Sequence, residues 1–577
     1  MRIAIVRRPA GATDRLPGDL HPILRRVYAA RGLDDSERLS STLEKLHKYQ
    51  RLIGIDRAVD RLVLALSEQQ RILIVADFDA DGATSCVLGL LGLRRMGAAH
   101  VSYLVPNRFE YGYGLTPEIV EVAAQQRPDL IITVDNGISS IEGVAAAKRL
   151  GISVVVTDHH LPGATLPDAE AIVNPNLPGC DFPSKHLAGV GVMLYVLMAL
   201  RARLRETGWF AAKKLPVPNL ADLLDLVALG TVADVVALDD NNRVLVAQGL
   251  ARIRAGRCRP GIRALLEVGG RDHKTICASD LGFAVAPRLN AAGRLTDMAL
   301  GIECLLTENE DEARRMACRL DALNRERREI EQQMQDQAWV CLNDLRLQDD
   351  KDLPVGLCLY DERWHQGVVG ILASRIKERL HRPVIAFARD GETGMLKGSA
   401  RSVPGLHIRD ALANVATRQP ELIAKFGGHA MAAGLSLAAE RFDDFSQAFA
   451  DEAGRHLSAD DLRGVVYTDG PLEAADFTLA LAQVLRDGGP WGQDFAEPLF
   501  DGEFHLLDRR VIGQRHLRLK LRHPEGRAPI EAVAFNTSDH NWPQHCRKVQ
   551  VAYRLDVNRY NGEQRLQLLV EQVWPVA

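Results

Sequence analysis

Four short apolar segments between residues 71 and 160 constrain the fold of this chain most strongly. They read RILIVA, VSYLV, DLIITV and ISVVVT, and the stretches ATSCVLGLLGLRRMG and SSIEGVAAAKRLG that lie between them have helical periodicity. Short β-branched segments that alternate with helices of about ten to fifteen residues are typical of a parallel sheet wound by right-handed βαβ units. We therefore predict an α/β domain with a parallel sheet in this part of the chain.

Acidic residues and histidines stand where three of these strands should end. Seven such side chains follow the first, third and fourth segments, namely Asp77, Asp79, Asp81, Asp135, Asp158, His159 and His160. Because ligands of open parallel sheets bind in the crevice beyond the carboxyl ends of the strands, we expect six of the seven to face one crevice. A further acidic element, GTVADVVALDD, offers Asp234.

Clustered carboxylates repel one another, and each raises the pKa of its neighbours unless positive charge lies among them. Oxygen ligands with one or two imidazoles and no thiolate favour Mn²⁺ or Mg²⁺ over a structural zinc ion. A shared carboxylate such as Asp135 could bridge two ions about 4 Å apart, the arrangement that clamps both oxygens of a phosphoryl transfer. For any single aspartate, the interpretation as a helix cap or turn former stays open. Four clusters together favour a metal site.

Other polar segments have the composition of phosphate-binding loops. They are PNRFEYGYG, APRLNAAGRL, KGSARS and FGGHAMAAG, and their candidate residues are Arg108, Arg288, Arg294, Ser399, Arg401, Gly427, Gly428 and His429. Arginines and small-residue loops that expose backbone N–H groups bind phosphate well. Each segment alone is a weak signal, and its weight comes from accompanying a metal site.

The second half of the chain predicts a long helix and two further domains. Residues 302–353 contain neither glycine nor proline, and about 35 of them have helical periodicity, a length of roughly 50 Å. Charge on both faces favours a spacer between domains over a helix lying along one domain. A second α/β unit follows, and the last 110 or so residues carry the short alternating strands of a small β-barrel. The predicted domains are an N-terminal helical extension at 1–50, the sheet domain at 51–305, the connecting helix at 306–350, a smaller α/β domain at 351–460 and the barrel at 461–577.

One predicted barrel strand, HLRLKLRH, has leucines on one face and only basic residues on the other. Seven Lys or Arg and one acid lie between Arg509 and Arg527, and the candidates for nucleic-acid contact are Arg515, Arg518, Lys520 and Arg522. A basic sheet face on a small barrel fits the backbone of a single-stranded nucleic acid. The alternative is a solubilising outer face, which normally mixes charges of both signs.

Composition excludes several classes of protein. The net charge of −4 excludes a uniformly basic DNA binder but leaves room for a local basic groove. Nine cysteines without a CxxC pair indicate reduced thiols rather than a disulfide framework or zinc module. The uncharged apolar stretch 187–200 is too short to span a bilayer, and the N-terminus has no apolar signal core. We therefore expect a cytoplasmic protein that does not enter a membrane.

The motifs DFDADG, VDNG, TDHH and GTVADVV, in that order, resemble the four metal-site motifs of the DHH phosphoesterases. KGSARS and FGGHAMAAGLSL resemble the DHH-associated second domain of that family. The resemblance implies an α/β fold: a parallel-sheet DHH domain joined by a long helix to a smaller α/β (DHH-associated) domain, plus a C-terminal OB-like β-barrel. This domain order is similar to that of bacterial single-strand-specific 5′→3′ DNA exonucleases. The pyrophosphatase branch of the family carries histidine where this chain has Val75, which disfavours a pyrophosphatase. Asp77 is then either a substitute for that histidine or a group that supports the metal ligands.

The resemblance also implies roles for particular residues. Asp79 and Asp135 would hold one Mn²⁺ or Mg²⁺ ion, and the second would be held by Asp81, Asp135, His159 and Asp234. Asp77 and His160 would act near the scissile phosphate. The 5′ end of single-stranded DNA and its phosphate would be bound by Arg108, Arg288, Ser399 and Arg401. A single-stranded-DNA-binding protein and the recombination and repair machinery would be partners of a monomeric enzyme.

Two other functions remain open at this point. A small-substrate DHH phosphodiesterase of very short oligonucleotides or cyclic dinucleotides would share the metal site but would not need the basic barrel. A non-catalytic DNA-binding relative would be expected to have lost metal ligands, and every acidic and histidine position quoted above is intact. We therefore favour the exonuclease, which hydrolyses phosphodiesters with two metal ions and releases 5′-mononucleotides.

Overall fold

A computed structural model describes residues 4–107, 114–344, 353–391, 393–458, 460–513, 516–535, 537, 546–560 and 563–576. Two compact units divide the chain. The larger contains residues 7–323 and 468–577, and the smaller contains residues 4–6 and 324–467. Among the described residues, every helix is too short or too polar to cross a membrane.

The strands of the described residues are β1 Ala4–Arg7, β2 Ile72–Ala76, β3 Val101–Leu104, β4 Leu130–Val134, β5 Ser153–Thr157, β6 Ala171–Val173, β7 Leu357–Tyr360, β8 Val384–Arg389, β9 Leu396–Arg401, β10 Lys425–Gly428, β11 Ala432–Leu437, β12 Val465–Thr468, β13 Phe500–Ile512, β14 His516–Arg522, β15 Ile530–Ala534, β16 Lys548–Tyr560 and β17 Glu563–Val576. The helices are α1 Pro22–Ala29, α2 Ile55–Ser67, α3 Ala80–Arg95, α4 Pro117–Ala124, α5 Ile141–Arg149, α6 Gly189–Glu206, α7 Trp209–Lys213, α8 Leu224–Ala233, α9 Asp240–Arg254, α10 Pro260–Val268, α11 Ala278–Asp280, α12 Ala286–Leu295, α13 Ala299–Leu306, α14 Glu310–Asp344, α15 Val369–Leu380, α16 Ile408–Arg418, α17 Phe442–His456 and α18 Leu479–Asp487.

The first sheet of the larger unit has the order β3-β2-β4-β5-β6, and every pair in it is parallel. The predicted parallel sheet is therefore confirmed. After β2 the chain forms β3 on one side and then crosses to form β4 on the other side. The carboxyl ends of β2 and β4 consequently flank a topological switch point, the place where open α/β sheets bind ligands.

Helices cover both faces of this sheet because its central strands are apolar on both sides. In β2, Ile72 and Ile74 join the core formed with α3, α6 and α8, whereas Leu73 and Val75 join a second core with α4 and α5. Gly92 lets α3 approach α6 closely, because a Cβ atom there would lie 2.4 Å from Leu197 Cδ1. This packing fixes the helix ends that surround the switch point.

The C-terminal strands form a closed barrel in the order β13-β14-β15-β17-β16. The pair β15–β17 is parallel and the other pairs are antiparallel. Leu517, Leu519 and Leu521 of β14 are fully buried, and Arg518 and Lys520 between them are exposed. The predicted OB-like barrel and the alternation of this strand are therefore confirmed.

The smaller unit contains a mixed sheet of order β10-β11-β9-β8-β7, in which β7 and β8 are parallel and the other pairs are antiparallel. The predicted second α/β domain is therefore confirmed. The long helix α14 has 35 residues, begins in the larger unit and ends in the smaller one. It has the length and the linking position expected of the connecting helix.

The N-terminal fifty residues differ from the predicted helical extension. Residues 4–7 form β1, which pairs with β12, and α1 is followed only by three short 3₁₀ helices. Arg31, after α1, forms a buried ion pair with Asp469 at 2.7 Å. Both contacts join residues more than 430 positions apart, so the local helical pattern could not reveal them.

Candidate metal centre

The turn after β2 places two carboxylates at the carboxyl edge of the sheet. Asp77 directly follows the strand, and Asp79 caps α3 by accepting a hydrogen bond from the Gly82 N–H at 3.0 Å. The turn requires glycine at position 82, because a Cβ atom there would lie 2.4 Å from the carbonyl oxygen of Asp77. The motif DFDADG is therefore a strand-to-helix turn that holds its aspartates on one side.

Asp81 lies in the first turn of α3 and is almost completely buried. Its carboxylate accepts hydrogen bonds from the N–H groups of Gly189 at 2.6 Å and Val190 at 3.0 Å, which begin α6. Burial and the charge of Asp79 raise the pKa of Asp81 to about 7, although these two N–H groups act in the opposite direction. The helix α6 therefore orients a carboxylate that the protein interior destabilises in its charged form.

Asp135 follows β4 and adopts a positive φ of 63°, a conformation that few residues other than glycine adopt. Gly189 makes room for it, since a Cβ atom at that position would lie 2.6 Å from the Cβ of Asp135. The neighbouring Asn136 donates to the carbonyl oxygens of Val75 and Val134 and so ties the ends of β2 and β4 together. Burial and the negative charges nearby raise the pKa of Asp135 well above its ordinary value.

His159 follows β5 and points into the carboxylate cluster. Its Nε2 atom lies 3.0 Å from Asp135 Oδ1, 3.4 Å from Asp234 Oδ2 and 4.0 Å from Asp81 Oδ2. One imidazole nitrogen therefore faces three carboxylates that come from three different elements of the fold.

His160 is held by Asp158, whose buried carboxylate also caps the turn 158–160. Asp158 Oδ1 lies 2.7 Å from His160 Nδ1 and accepts hydrogen bonds from the N–H groups of His159 and His160. Burial lowers the pKa of His160, but the hydrogen bond and charge of Asp158, with the charges of Asp77 and Asp79, outweigh it and raise the pKa to about 8. The hydrogen bond and the negative charge of Asp158 therefore favour the protonated form of the His160 imidazole.

Asp234 caps the C-terminus of α8. Its Oδ2 atom is buried and accepts no hydrogen bond from the part of the chain that the structure describes. Burial and the charges of Asp81, Asp79 and Asp77 raise its pKa well above the ordinary value. A carboxylate in this position is poorly stabilised by the protein itself.

The structure thus brings together six of the seven side chains that the sequence placed at strand ends, and Asp234 with them, whereas Asp158 holds His160. Three overlapping groups have their ligand atoms within 4.8 Å of one another: Asp77, Asp79 and Asp135; Asp81, His159 and Asp234; and Asp135, His159 and His160. Carboxylate oxygens with imidazole nitrogens beside them match the donor set that Mn²⁺ and Mg²⁺ accept, and burial raises the pKa of three of these carboxyls, Asp81, Asp135 and Asp234. The residues present fit divalent cations.

The three predicted phosphate-binding arginines of the larger unit have different environments. Arg108 lies outside the described residues. Arg288 is buried, pairs with Asp321 of α14 at 2.8 Å and donates to the carbonyl oxygens of Ala284 and Val268. This guanidinium connects α12 to α14, so the geometry does not support phosphate binding by Arg288. Arg294 is half-buried near the end of α12.

The smaller unit holds the remaining phosphate-binding candidates. Arg401 donates to Ser399 Oγ at 3.0 Å and makes no ion pair with any described residue. Burial lowers the pKa of Arg401. A Cβ atom at Gly370, in the first turn of α15, would lie 2.9 Å from both Ser399 Oγ and Arg401 Nη2. A guanidinium, a hydroxyl and a helix N-terminus therefore converge, and an anion would satisfy all three.

The glycines of FGGHAMAAG lie beside this group. Gly427 and Gly428 end β10, and Gly428 has a φ of 144° and faces Ala433 so closely that a Cβ atom would lie 2.4 Å from Ala433 Cα. His429 begins the turn to β11, whose first residue pairs with Arg401. The hairpin therefore brings His429 to the end of the strand that carries Arg401.

Sequence reasoning missed the asparagines that support the metal centre. Asn174 and Asn176 donate to the carbonyl oxygens of His160 and His159, and Asn290 accepts a hydrogen bond from the Ala80 N–H at 2.7 Å. The segment NPN directly after β6 was a usable signal, because side-chain amides in such loops commonly bond to backbone groups. Asn290 offered no signal, since its partner is 210 positions away.

The basic strand of the barrel is less uniform than expected. Lys520 lies opposite Asp508 on one neighbouring strand and Glu531 on the other. Arg518 forms an ion pair with Glu531 at 3.0 Å, and Arg522 is exposed. The outer face of the sheet was expected to carry only positive charge. This expectation is wrong for the sheet, because β13 and β15 contribute carboxylates, although it holds within β14. Arg515 lies outside the described residues.

Comparison with known proteins agrees with this geometry. The family profiles "DHH family, N-terminal domain", "DHHA1 domain" and "RecJ OB domain" match residues 71–231, 354–454 and 468–572. The chain is 56% identical to the single-stranded-DNA-specific exonuclease RecJ of Salmonella typhimurium over 99% of both chains, and 54% identical to that of Escherichia coli over the full length of both. The chain belongs to the RecJ family.

A solved structure extends the comparison to the fold. The crystal structure of RecJ in complex with Mn²⁺ from Thermus thermophilus is 30% identical to this chain, with a TM-score of 0.79, and the match covers 100% of this chain and 80% of that one. The same RecJ has also been solved in complex with Mg²⁺. The two ions found with this relative are those that the donor set of the metal centre favours.

Proposed function

We propose that this protein is a single-stranded-DNA-specific 5′→3′ exonuclease that hydrolyses phosphodiester bonds with two Mn²⁺ or Mg²⁺ ions, releases 5′-mononucleotides and acts in DNA recombination and repair. The observation that carries the proposal is the metal centre, where five aspartates and two histidines converge. They come from four places in the fold: the β2–α3 turn, the ends of β4 and β5, and the end of α8. Membership of the RecJ family supports the choice of single-stranded DNA as the substrate.

The overlapping ligand groups suggest how two ions are held. In this proposal Asp79 and Asp135 hold one ion, with Asp77 beside them, and Asp135 also contributes to the second. The second is completed by Asp81, His159 and Asp234, whose ligand atoms lie within 4.8 Å of one another. When bound, such ions activate water and neutralise charge on the oxygens of a phosphoryl group.

His160 supplies a proton in the proposed reaction. Asp158 fixes the ring through Nδ1, and its hydrogen bond and negative charge favour the charged imidazolium. A protonated imidazole beside the scissile phosphate can donate to a phosphate oxygen or to the leaving 3′ oxygen. Asp158 is therefore a positioning residue for His160.

Arg401 and Ser399 bind the 5′ phosphate of the DNA. Their support is the lack of an ion pair for the Arg401 guanidinium among the described residues and the closeness of Gly370 at the start of α15. A phosphate dianion would accept hydrogen bonds from the guanidinium, the hydroxyl and the helix N-terminus. We propose that His429, Gly427 and Gly428 border the same pocket.

The barrel contacts the DNA backbone further from the cut. Arg518, Lys520 and Arg522 all lie on the exposed face of β14. We also propose that the enzyme works as a monomer in the cytoplasm and that a single-stranded-DNA-binding protein delivers its substrate. Size-exclusion chromatography with light scattering, and a binding assay with the purified partner, would test the two assembly proposals.

The test of the proposed function is degradation of end-labelled DNA by purified protein with Mn²⁺ or Mg²⁺. We expect 5′-mononucleotides to be released from single strands and from 5′-tailed duplexes, with blunt duplexes resistant. The matched control is Asp135→Asn, which should be inactive and folded. Efficient digestion of blunt duplexes, or digestion that starts at the 3′ end, would contradict the proposal.

A further inference from the structure

Three large apolar side chains next to the metal centre are exposed to water. Leu161 directly follows His160 and is 60% exposed, and Val235 directly follows Asp234 and is 64% exposed. Phe283 is 77% exposed, more than any other large apolar side chain that the structure describes. A single exposed apolar residue is ordinary, but three on segments that adjoin one site suggest an apolar ligand there.

The fold holds Phe283 at the border of the metal centre. Phe283 lies in the π-helical turn Leu281–Val285, which leads directly into α12. The adjacent Gly282 packs against the end of α8, since a Cβ atom there would lie 3.3 Å from Val232 Cγ1. Val232 precedes Asp234 by two residues. One end of the segment is therefore anchored beside a carboxylate of the site.

The other end of the segment is anchored at the turn between β2 and α3. In α12, Asn290 accepts a hydrogen bond from the Ala80 N–H at 2.7 Å, between Asp79 and Asp81. Gly293 of the same helix contacts Phe78, and a Cβ atom there would lie 1.9 Å from its carbonyl oxygen. The helical segment that carries Phe283 thus extends from Val232 to the turn of DFDADG.

The conformation of the turn also points to a function. π-helical turns are rare, and they occur frequently at functional sites because they displace side chains from the regular helical positions. Here the displaced register leaves an aromatic ring in water, although Leu281 and Val285 of the same turn are completely buried. The turn is well packed on one side and presents Phe283 on the other.

We propose that Phe283 stacks on an unpaired nucleobase of the strand that is being hydrolysed, with Leu161 and Val235 completing an apolar border for that base. The inference rests on the proposed function and assigns the base-binding part of the same site. Every base has a π face, so stacking on one ring tolerates all sequences. In a duplex the faces of the bases are already stacked, so such a platform also favours single strands.

The test compares Phe283→Ala and Phe283→Trp with the wild type on two 5′-phosphorylated single strands. One strand carries all its bases, and the other has abasic sites in its first three nucleotides. We expect Phe283→Ala to lower kcat/KM on the first strand about 5- to 100-fold, mainly through KM, because stacking contributes to binding. Phe283→Trp should stay close to the wild type. On the abasic strand, all three proteins should have similar values.

Leu150→Ala is the matched control, because Leu150 is 55% exposed and lies before β5, at the opposite edge of the sheet. It should leave both substrates unaffected. Equal loss by Phe283→Ala on the two strands, or unchanged kcat/KM in a variant of unchanged melting temperature, would overturn the inference. Failure of the wild type to degrade any single strand would instead contradict the proposed function, so the two failures can be distinguished.

Discussion

A buried carboxylate of the smaller unit, Glu452, and the buried carboxylates of the metal centre differ in what surrounds them. Glu452 of α17, in the smaller unit, accepts hydrogen bonds from Asn414 at 2.7 Å and Arg455 at 2.8 Å, and also contacts Arg418 and His456. Burial alone would raise the pKa of Glu452, but these partners outweigh it and lower the pKa. A carboxylate whose partners are all in the chain has a structural role.

The carboxylates of the metal centre have the opposite environment. Burial and like charges raise the pKa of Asp81, Asp135 and Asp234, and the imidazole of His159 is shared among the three. Such a cluster stays ionised at neutral pH when positive charge from outside the chain compensates its carboxylates. The same contrast separates two arginines, since Arg288 pairs with Asp321 and Arg401 has no carboxylate partner among the described residues.

The largest expected difference concerns activity. Asp135→Asn should lower hydrolysis of single-stranded DNA by at least about 1,000-fold, because it removes a ligand shared by two ions. Glu452→Gln, which also removes one buried charge, should retain activity at temperatures where it is folded. Single-turnover degradation of a labelled oligonucleotide measures both. Substantial turnover in folded Asp135→Asn protein would contradict the proposed difference between metal-binding and structural carboxylates.

Metal binding should stabilise only proteins with an intact centre. Mn²⁺ at 100 times its dissociation constant should stabilise the wild type by about 2.7 kcal/mol, since the ion binds the folded state alone. Asp135→Asn should lose most of this effect, and Glu452→Gln should keep it. Thermal unfolding with increasing Mn²⁺ gives the comparison, and equal stabilisation of all three proteins would argue against the assigned site.

Glu452→Gln should instead lower stability by about 2 kcal/mol at neutral pH, because its cationic partners lose the buried negative charge that they contact. The folded-state pKa of Glu452 is lowered, so its contribution is present above the unfolded value of about 4.3 and is lost as the pH falls through the folded value. Denaturant unfolding at pH 7 and at acidic pH should therefore show a difference between variant and wild type that disappears in acid.

Arg401 and Arg288 should differ in their contribution to recognition of the 5′ phosphate. Arg401→Ala should reduce the preference for a 5′-phosphorylated strand over a 5′-hydroxyl strand by about tenfold, because a charge-assisted contact is lost. Arg288→Ala should lower the melting temperature and leave that preference unchanged. The ratio of kcat/KM for the two strands is the measurement, and an unchanged ratio in Arg401→Ala would place phosphate binding elsewhere.

The smallest effect is expected at the barrel, where Lys520 is a cation between two carboxylate-bearing strands. If Lys520 contacts a DNA phosphate, Lys520→Ala should reduce the slope of log affinity against log salt by about 0.7. Fluorescence anisotropy with a long single strand at several salt concentrations measures the slope. A slope equal to that of the wild type would mean that Asp508 and Glu531 neutralise Lys520 and that it does not contact DNA.

The strand-end positions of the metal centre were predictable from the sequence because they depend on local order. An apolar segment followed by Asp77 or Asp135 becomes a strand followed by a polar turn, and parallel strands end at the same edge. The alternation of β14 was predictable for the same reason, since side chains on a strand alternate with period two. These features depend only on the order of residues within one segment of the sequence.

Which polar groups already have a partner in the chain was decided by the tertiary structure alone. Arg288 and Arg401 both lie in segments typical of phosphate binding, but α14 brings Asp321 to the first and the described residues bring no carboxylate to the second. Likewise, β13 and β15 bring Asp508 and Glu531 beside Lys520. The sequence by itself therefore determined the sheet and the side chains at its edge. Only the folded chain decided which charges are neutralised, because electrostatic energy depends on distances between residues far apart in sequence.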